Sequence, residues 1–527
     1  MLLSPTKESQ ENTVDMKGLS ASALQHMIDF IYTGQLELDF ENLIEMLNAA
    51  SHLQIQTALE LCSDYMITLL TFSNADELLN IAEVYSLARV TEFYNNKVLH
   101  NFEEFSRTNQ FLMLSPEQIT RYLADDNLRI RSEGLLLDVV AKWYSHDQKR
   151  AEHLEDVVKN VRLCLVSDVQ LVQLQQHWLS RQFPKVISHR IVDGIKYHQD
   201  SSNGHPWLSE TAKIRSTEKS LVLIHQGSAY KPFEVTAFDE KEGKFYQLST
   251  DISGSRDCRV ATIDNFVYIC RVVDCGGGAL MNSLLRFDPR HLALQELTPC
   301  RRLRIDPALV SKGQWLYVFG GTNETYAILD SVECYDVRSN SWVDLLPMPE
   351  ATHSHAATVC GDYIYLSGGV SCTDRQPSTN LFRYMPSSHQ WETLSGMRSA
   401  RRLHEMAALG DKLYIVGGIG SHSFHQQTQI PIECYNTQSD QWTLLTSTLA
   451  GRSVGHFIKY FGQILSIGRE HYEATEDDLW LYDIETDTWN HKTKAPRRTG
   501  LTSAFCTMMY INFFDEKVAK RVLSDKR

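Results

Sequence analysis

The C-terminal half of this 527-residue chain carries aromatic landmarks at a period near 50. Phe245, Leu294, Trp342, Trp391, Trp442 and Trp489 follow one another at steps of 49, 48, 49, 51 and 47 residues. Each stands seven residues after a second landmark: Phe238, Phe287, Tyr335, Tyr384, Tyr435 and Tyr482. Short apolar runs closed by a glycine pair precede three of them, ending in Gly320-Gly321, Gly368-Gly369 and Gly417-Gly418. Self-similarity at this period marks a radial β array rather than a single conventional domain. A unit of about 48 residues holds four strands of about five or six residues plus turns, so six units predict a six-bladed propeller. Such an array is built to bind and seldom to catalyse. The glycine pairs need only a structural reading, because glycine allows close backbone approach where a strand leaves the packed interior. The Tyr and Trp are large apolar surfaces with a polar handle, suited to the wedge between adjacent blades.

The ring must also close. The first unit opens at Leu221-Val222-Leu223-Ile224, which matches the second strand of later units. The stretch from Arg497 to Phe505 resembles an inner strand without the rest of its blade. The C-terminal segment is therefore expected to complete the first blade and remove an open edge. Blades 1 and 2 are degenerate, with Phe245 and Leu294 in place of Trp, and Gly468-Arg469 replaces the glycine pair in the sixth.

A chain this long exceeds one core, so about three or four folded units are expected. A net charge of −14 argues against a nucleic-acid footprint. No apolar run approaches the length of a membrane span, and Met1-Leu2-Leu3 runs directly into Ser, Pro, Lys and Glu, so no signal peptide is expected. Eleven cysteines without a repeating spacing read as reduced thiols. Cys270 and Cys275 lack zinc-knuckle spacing, and His353 with His355, or His422 with His425, lack a third ligand. No metal is expected.

The first 200 residues carry a helical period instead. Leu24, Met27, Ile28 and Ile31 fall on one face, as do Leu43, Met46 and Leu47, and Leu136, Val139, Val140 and Trp143. Such stripes read as core. Ser115-Pro116-Glu117-Gln118 is a helix start with a capping box. Gln199 to Pro206 is polar, broken by Gly and Pro, and reads as a linker.

These units resemble kelch repeats, and the helical half resembles what precedes them in BTB–BACK–kelch proteins. Gly18-Leu19-Ser20 with Met27-Ile28-Asp29-Phe30-Ile31-Tyr32-Thr33-Gly34, then Ala49-Ala50-Ser51-His52-Leu53-Gln54, is similar to the end of a BTB domain. Ser132-Glu133, the Val139 to Trp143 run, His146-Asp147 and Val161-Arg162-Leu163 are similar to a BACK domain. The fold class that follows is multidomain, α plus all-β: a helical BTB remnant and BACK domain, followed by a six-bladed kelch β-propeller. Its expected boundaries are a shortened BTB segment over 1–70, BACK over 71–200, a linker over 201–217, the propeller over 218–514 and a polar tail over 515–527.

The resemblance implies a non-catalytic adaptor without cofactor. Family members dimerise through BTB, bind cullin-3 through BTB and BACK, and present a protein substrate on the propeller for ubiquitination by the cullin-bound RING partner. Lys7 and Glu8 match the cullin-contacting motif, whereas Thr6 stands where that motif has an apolar residue. The chain opens where the middle of a BTB domain would lie, so weakened cullin-3 binding and no BTB dimer are expected. A cytoplasmic location follows, with the nucleus as an alternative. Competing readings are an actin-type or other scaffold, and a propeller enzyme such as a copper oxidase or isomerase, whose site constellation is not found.

The resemblance implies that the substrate sits over the central opening, contacted by loops between strands and by residues at the start of each inner strand. Counting back sixteen residues from the first glycine of each pair gives Arg304, Arg401 and Arg452, with Thr352 in the fourth unit, and Arg498 fits the same place in the closing segment. Converging there, these arginines would hold an acidic substrate segment by bidentate contacts. Salt bridging within each blade is the alternative. Tyr326, His355 and His404 are further candidates.

Overall fold

The computed structural model describes residues 18–179, 185–202, 212–227, 233–252, 255, 257–420, 431–446, 456–468, 476–496 and 501–519. It divides into two compact units, Met1–Ile130 with Val139–His153, and Arg131–Asp138 with Leu154–Arg527.

The first unit is helical. Its helices include Ala21–Thr33, Leu43–His52, Gln56–Leu69, Ala75–Val84, Ala88–His100 and Pro116–Ala124. The last begins at the expected capping box: the Ser115 hydroxyl accepts from the Gln118 amide at 3.2 Å, and Gln118 accepts from the Ser115 amide at 2.9 Å. Phe105 anchors the interior, with Phe72, Phe111 and Tyr122 ring centroids 5.3, 6.0 and 6.3 Å away. One expected stripe is only partly core. Helix Ala21–Thr33 buries Ala23, Met27 and Phe30, whereas Ile28 and Ile31 are exposed. The packed face advances by i, i+4 and i+7 from Ala23, one residue round from the stripe read off Leu24.

The second unit opens with helical segments, among them Leu154–Val158, Asp168–Leu179 and Lys185–Ser202. The end of the expected linker is anchored here rather than solvated. Arg215 is buried and holds the Glu133 carboxylate at 2.5 Å, while the same carboxylate accepts from the Arg162 amide at 3.0 Å. A buried charge is tolerated only when paired in this way.

Six four-stranded antiparallel sheets follow. Blade 1 places Leu501–Tyr510 innermost, beside Lys219–Gly227, Phe233–Asp239 and Lys244–Ile252. Blade 2 runs outward through Asp257–Ile263, Phe266–Asp274, Leu280–Asp288 and Ala293–Leu297. Blade 3 comprises Ala308–Lys312, Trp315–Phe319, Val332–Asp336 and Ser341–Leu345. Blade 4 comprises Ala356–Cys360, Tyr363–Ser367, Leu381–Met385 and Gln390–Leu394. Blade 5 comprises Arg402–Leu409, Lys412–Ile419, Glu433–Asn436 and Gln441–Leu444. Blade 6 comprises Phe457–Tyr460, Gln463–Gly468, Glu476–Asp483 and Thr488–Pro496. Each innermost strand touches the innermost strands of both neighbours, and the last returns to the first, so the ring is closed. The closing strand pairs along the whole of Lys219–Gly227, from Lys219 opposite Tyr510 to Gly227 opposite Leu501.

The core lies between blades. Five of its clusters, between successive blades, and a sixth, between blades 6 and 1, fill the wedges of the ring. The ruler residues stand in these wedges as cross-strand neighbours, Tyr335 opposite Trp342 and Tyr435 opposite Trp442. Their indoles also fasten blades together: Trp342 donates to the Thr298 carbonyl at 2.8 Å and Trp442 to the Ser395 carbonyl at 2.7 Å, each in the segment leading from the preceding blade. The Tyr hydroxyls close the turn before the Trp, onto Asn340 at 2.7 Å and Asp440 at 2.7 Å. Those two residues adopt φ of 49° and 52°, a left-handed position that Asn and Asp tolerate.

Candidate functional site

The inner strands of blades 3, 4 and 5 are entered through the same backbone device. Asp306, Ser354 and Leu403 hold equivalent places with φ of 52°, 54° and 53°. Each turn grips the one before it. The Leu403 amide donates to the Ser354 carbonyl and the Ser354 amide to the Asp306 carbonyl, both at 2.9 Å, and the Asp306 amide donates to the Asp257 carboxylate of blade 2 at 2.7 Å. Side chains complete the circle. Glu405 meets His456 of blade 6 at 2.8 Å, the His456 ring lies 3.9 Å from that of Phe505 in the closing strand, and Thr507 bonds Thr262 of blade 2 at 2.8 Å. Adjacent inner strands are thereby clasped at the opening from blade 2 to blade 6, while the Thr507–Thr262 bond joins the closing strand to blade 2 deeper in the channel, at the far end of Asp257–Ile263.

The charges at this opening are mixed. Arg259 pairs with Asp257 at 2.7 Å and with Asp306 at 3.0 Å. Burial works against the Arg259 charge, but the two carboxylates raise its pKa above the ordinary value. Burial likewise lifts the Asp257 carboxyl, with Arg259 opposing and Asp306 reinforcing the shift. His353, whose imidazole pKa is lowered by burial, feels both Asp306 and Arg402. The exposed groups of this end include Leu403, 41% exposed, and Tyr326, 63% exposed, on the loop after the blade 3 glycine pair.

Two of the predicted arginines, Arg304 and Arg401, point away from the opening. Arg304 is buried and reaches the Glu333 carboxylate at 2.8 Å, the Gly320 carbonyl at 2.7 Å and the Ser331 carbonyl at 2.8 Å. Arg401 is fully buried, 2.6 Å from Glu433 and 3.1 Å from the Gly417 carbonyl. The basic ring proposed from spacing is therefore not formed by these two side chains; both are bound inside their own blades. Arg452 and Arg498 lie outside the described residues, as do Lys7, Glu8 and the His422–His425 loop. In blade 4 Thr352 takes the arginine's place and Phe382, two residues before Tyr384, takes the glutamate's.

His355 and His404 are also interior groups. Burial holds both imidazoles down to about 3, with His353, Arg259 and Arg304 adding to the effect at His355 and Arg401 and His355 at His404. His404 meets the Ser367 hydroxyl at 2.8 Å. The two rings explain the glycine pairs. Gly320 and Gly368 have φ of 57° and 59°, and a Cβ on either would stand 2.2 Å from the Thr352 carbonyl or 2.5 Å from the Arg401 carbonyl, with the His355 or His404 ring beside it. Only glycine lets the next blade's inner strand enter there.

Of the candidates, the structure leaves Tyr326 exposed at this end and brings forward Asp257, Arg259, Asp306, Leu403, Glu405 and His456, which sequence reasoning missed. Their signal lay two residues beyond the arginine position, where Asp306, Ser354 and Leu403 recur. No group of three His, Cys, Asp or Glu side chains placed to hold a metal occurs among the described residues. Among them, no helix is long and apolar enough to cross a membrane.

Comparison with known proteins agrees with this architecture. Residues 1–63 match the model for a Kelch-like protein 33-like BTB/POZ domain, and residues 76–176 match BACK, the BTB And C-terminal Kelch domain. Residues 260–448 and 308–512 match the KLHDC2/KLHL20/DRC7 Kelch-repeats domain. Kelch-like protein 36 of Mus musculus is 28% identical over 519 residues, covering 95% of this chain and 84% of that protein. Kelch-like protein 26 of Danio rerio is 27% identical over 93% of this chain and 82% of its own length. Kelch-like protein 15 of Homo sapiens is 23% identical over 93% and 85%.

Proposed function

The chain belongs to the Kelch-like family of BTB–BACK–kelch proteins, and we propose that it is the substrate-recognition adaptor of a cullin-3 RING ubiquitin ligase. The helical half engages the cullin and the propeller captures a protein substrate, in the cytoplasm. Ubiquitin transfer is done by the RING partner, and this chain contributes position rather than chemistry.

The observation that carries the reading is the clasped opening of the propeller. Three successive left-handed entries, tied amide to carbonyl across blades, hold a rim that does not have to be ordered when a partner arrives. A preorganised surface loses less entropy on binding. With Arg304 and Arg401 bound internally, the rim offers a mixture of Asp306, Arg402, Leu403 and Tyr326 rather than a basic ring, so an acidic segment is no longer the favoured substrate.

The test is co-purification of the intact chain with cullin-3, alongside proximity labelling of wild type and a Tyr326→Ala, Leu403→Asp variant. Cullin-3 is expected with both, and the variant should lose a defined subset of labelled proteins. A folded chain that leaves cullin-3 behind and instead co-sediments with actin would replace the adaptor by a scaffold. An unchanged labelled set would move substrate capture off this rim.

A further inference from the structure

We propose that Cys270 and Cys300 are an oxidation site: peroxide converts them to a disulfide that fastens the joint between blades 2 and 3. Their sulfurs lie 3.5 Å apart, although the residues are 30 positions apart in sequence. Neither thiol is needed for the clasped rim or for the capture surface, so the inference stands independently of the adaptor role.

The two sulfurs are held in register by contacts that exist already. Cys270 sits in the middle of Phe266–Asp274, paired on one side with Arg259 and on the other with Leu284. Cys300 follows the outer strand of the same blade. Its carbonyl accepts from the Asn282 side chain at 3.0 Å, and the same amide group reaches the Arg302 carbonyl at 2.6 Å. The Arg301 and Arg302 amides then donate to Glu333 of blade 3 at 2.8 and 3.3 Å. The segment carrying Cys300 is thus pinned on both sides before any bond forms. Closing the gap to a disulfide length of about 2.05 Å asks for side-chain rotation and small local adjustment.

The pair is asymmetric, which gives each sulfur its role. Cys270 is partly accessible, whereas Cys300 is buried. Contact with Cys270, and then burial, push the Cys300 thiol well above its usual range. Cys270 is therefore the sulfur that meets a small oxidant and Cys300 the one that resolves it. The Cys270 thiolate attacks one oxygen of hydrogen peroxide. The O–O bond breaks, a sulfenic acid forms on Cys270, and the departing hydroxide leaves as water with the proton that Cys270 had given up. The Cys300 sulfur then attacks the Cys270 sulfur and breaks its S–O bond. The hydroxide expelled takes the Cys300 proton and leaves as a second water. Two thiols have together lost two electrons, and one peroxide has accepted them.

The bond would act on the segment that runs from Cys300 through Arg304 to Asp306 at the rim. That segment is the only covalent route from blade 2 into blade 3, so a cross-link to the centre of blade 2 restrains the approach to the opening.

The experiment treats the intact chain with hydrogen peroxide and maps a non-reduced digest by mass spectrometry. A peptide joining Cys270 to Cys300 is expected, lighter by two hydrogens than the separate thiol peptides and lost on addition of dithiothreitol. In Cys300→Ser, Cys270 should accumulate a sulfenic acid that dimedone traps. Amide exchange across residues 298–306 should slow several-fold in the oxidised wild-type chain. Oxidation confined to the exposed Cys275 and Cys372, with Cys270 and Cys300 recovered as thiols, would overturn the proposal. A Cys270–Cys275 bond would do the same, and because the decisive measurement uses wild-type protein, a variant that fails to fold does not blunt it.

Discussion

Arg401 and Glu433 are both fully buried and 2.6 Å apart, with the Arg398 and Ser399 amides at 2.7 and 3.0 Å on the same carboxylate. Removing Glu433 leaves the buried Arg401 charge and two orphaned amides. Glu433→Ala is expected to cost about 3–5 kcal/mol of propeller stability, whereas Arg401→Met with Glu433→Leu should recover only the part due to the unpaired charge, since the Arg398 and Ser399 amides stay orphaned. Denaturant unfolding of the three proteins decides it: a single variant as stable as wild type would make the pair dispensable. The second expectation concerns protons. His355 and His404 are held down to about 3 in the fold, against about 6.5 in an unfolded chain. Below about 6.5 the unfolded state therefore binds protons that the folded state refuses. Their stabilising contribution is complete above that pH and is lost as pH falls toward 3, at about 1.4 kcal/mol per pH unit for each histidine. His355→Gln should flatten the fall in melting temperature between pH 6.5 and 5; an identical slope in the variant would place the proton uptake elsewhere. At this scale the sequence located the residues without giving their direction. The sixteen-residue spacing finds Arg304 and Arg401, but strand entry through Asp306 and Leu403 sets which neighbour faces the opening, and one residue of offset reverses it. A clue was available within the chain: arginine accompanies Glu333 and Glu433, while Thr352 accompanies Phe382.

Among elements, the repeating blade was the most legible feature, because its spacing is set by packing that every wedge repeats. Phe238 and Phe245, 4.6 Å apart, fill the place that Tyr335 and Trp342 fill at 5.1 Å, so the substitution in blade 1 keeps the cross-strand contact and loses the indole donor. The helix start at Ser115 was legible for a similar reason, since a capping box is satisfied within four residues. Helix Ala21–Thr33 was less so. Several of its residues are apolar around the circumference, and periodicity alone does not say which arc packs. The ruler tryptophans are not equal in burial: Trp342 is fully buried, Trp391 and Trp442 only partly. Trp342→Ala should therefore cost about 3–5 kcal/mol and Trp442→Ala clearly less, since the penalty follows the buried surface and cavity left behind. Thermal melts giving the reverse order would mean that the indole bond to Ser395 outweighs burial.

For the whole molecule, the closing strand matters most. Leu501–Tyr510 supplies the inner strand of blade 1 and contributes Phe505 and Met509 to one wedge and Cys506 to the next. Ending the chain after Pro496 should strip Lys219–Gly227 of its partner, lower the melting temperature and promote association through the open edge. A truncated chain that melts like the intact one and stays monodisperse would show that the ring does not depend on this strand. The arrangement also imposes a schedule on synthesis. Blade 1 leaves the ribosome before the other blades and is finished only after them, because its innermost strand follows blade 6 in the sequence. At a translation rate of about 5–20 residues per second, the gap between Gly227 and Leu501 corresponds to a wait on the order of ten seconds to a minute. During that interval the nascent propeller carries an unpaired strand for which chaperones and neighbouring nascent chains compete. A stop codon falling between Pro496 and Leu501 would leave five blades intact and still yield a protein that cannot shut.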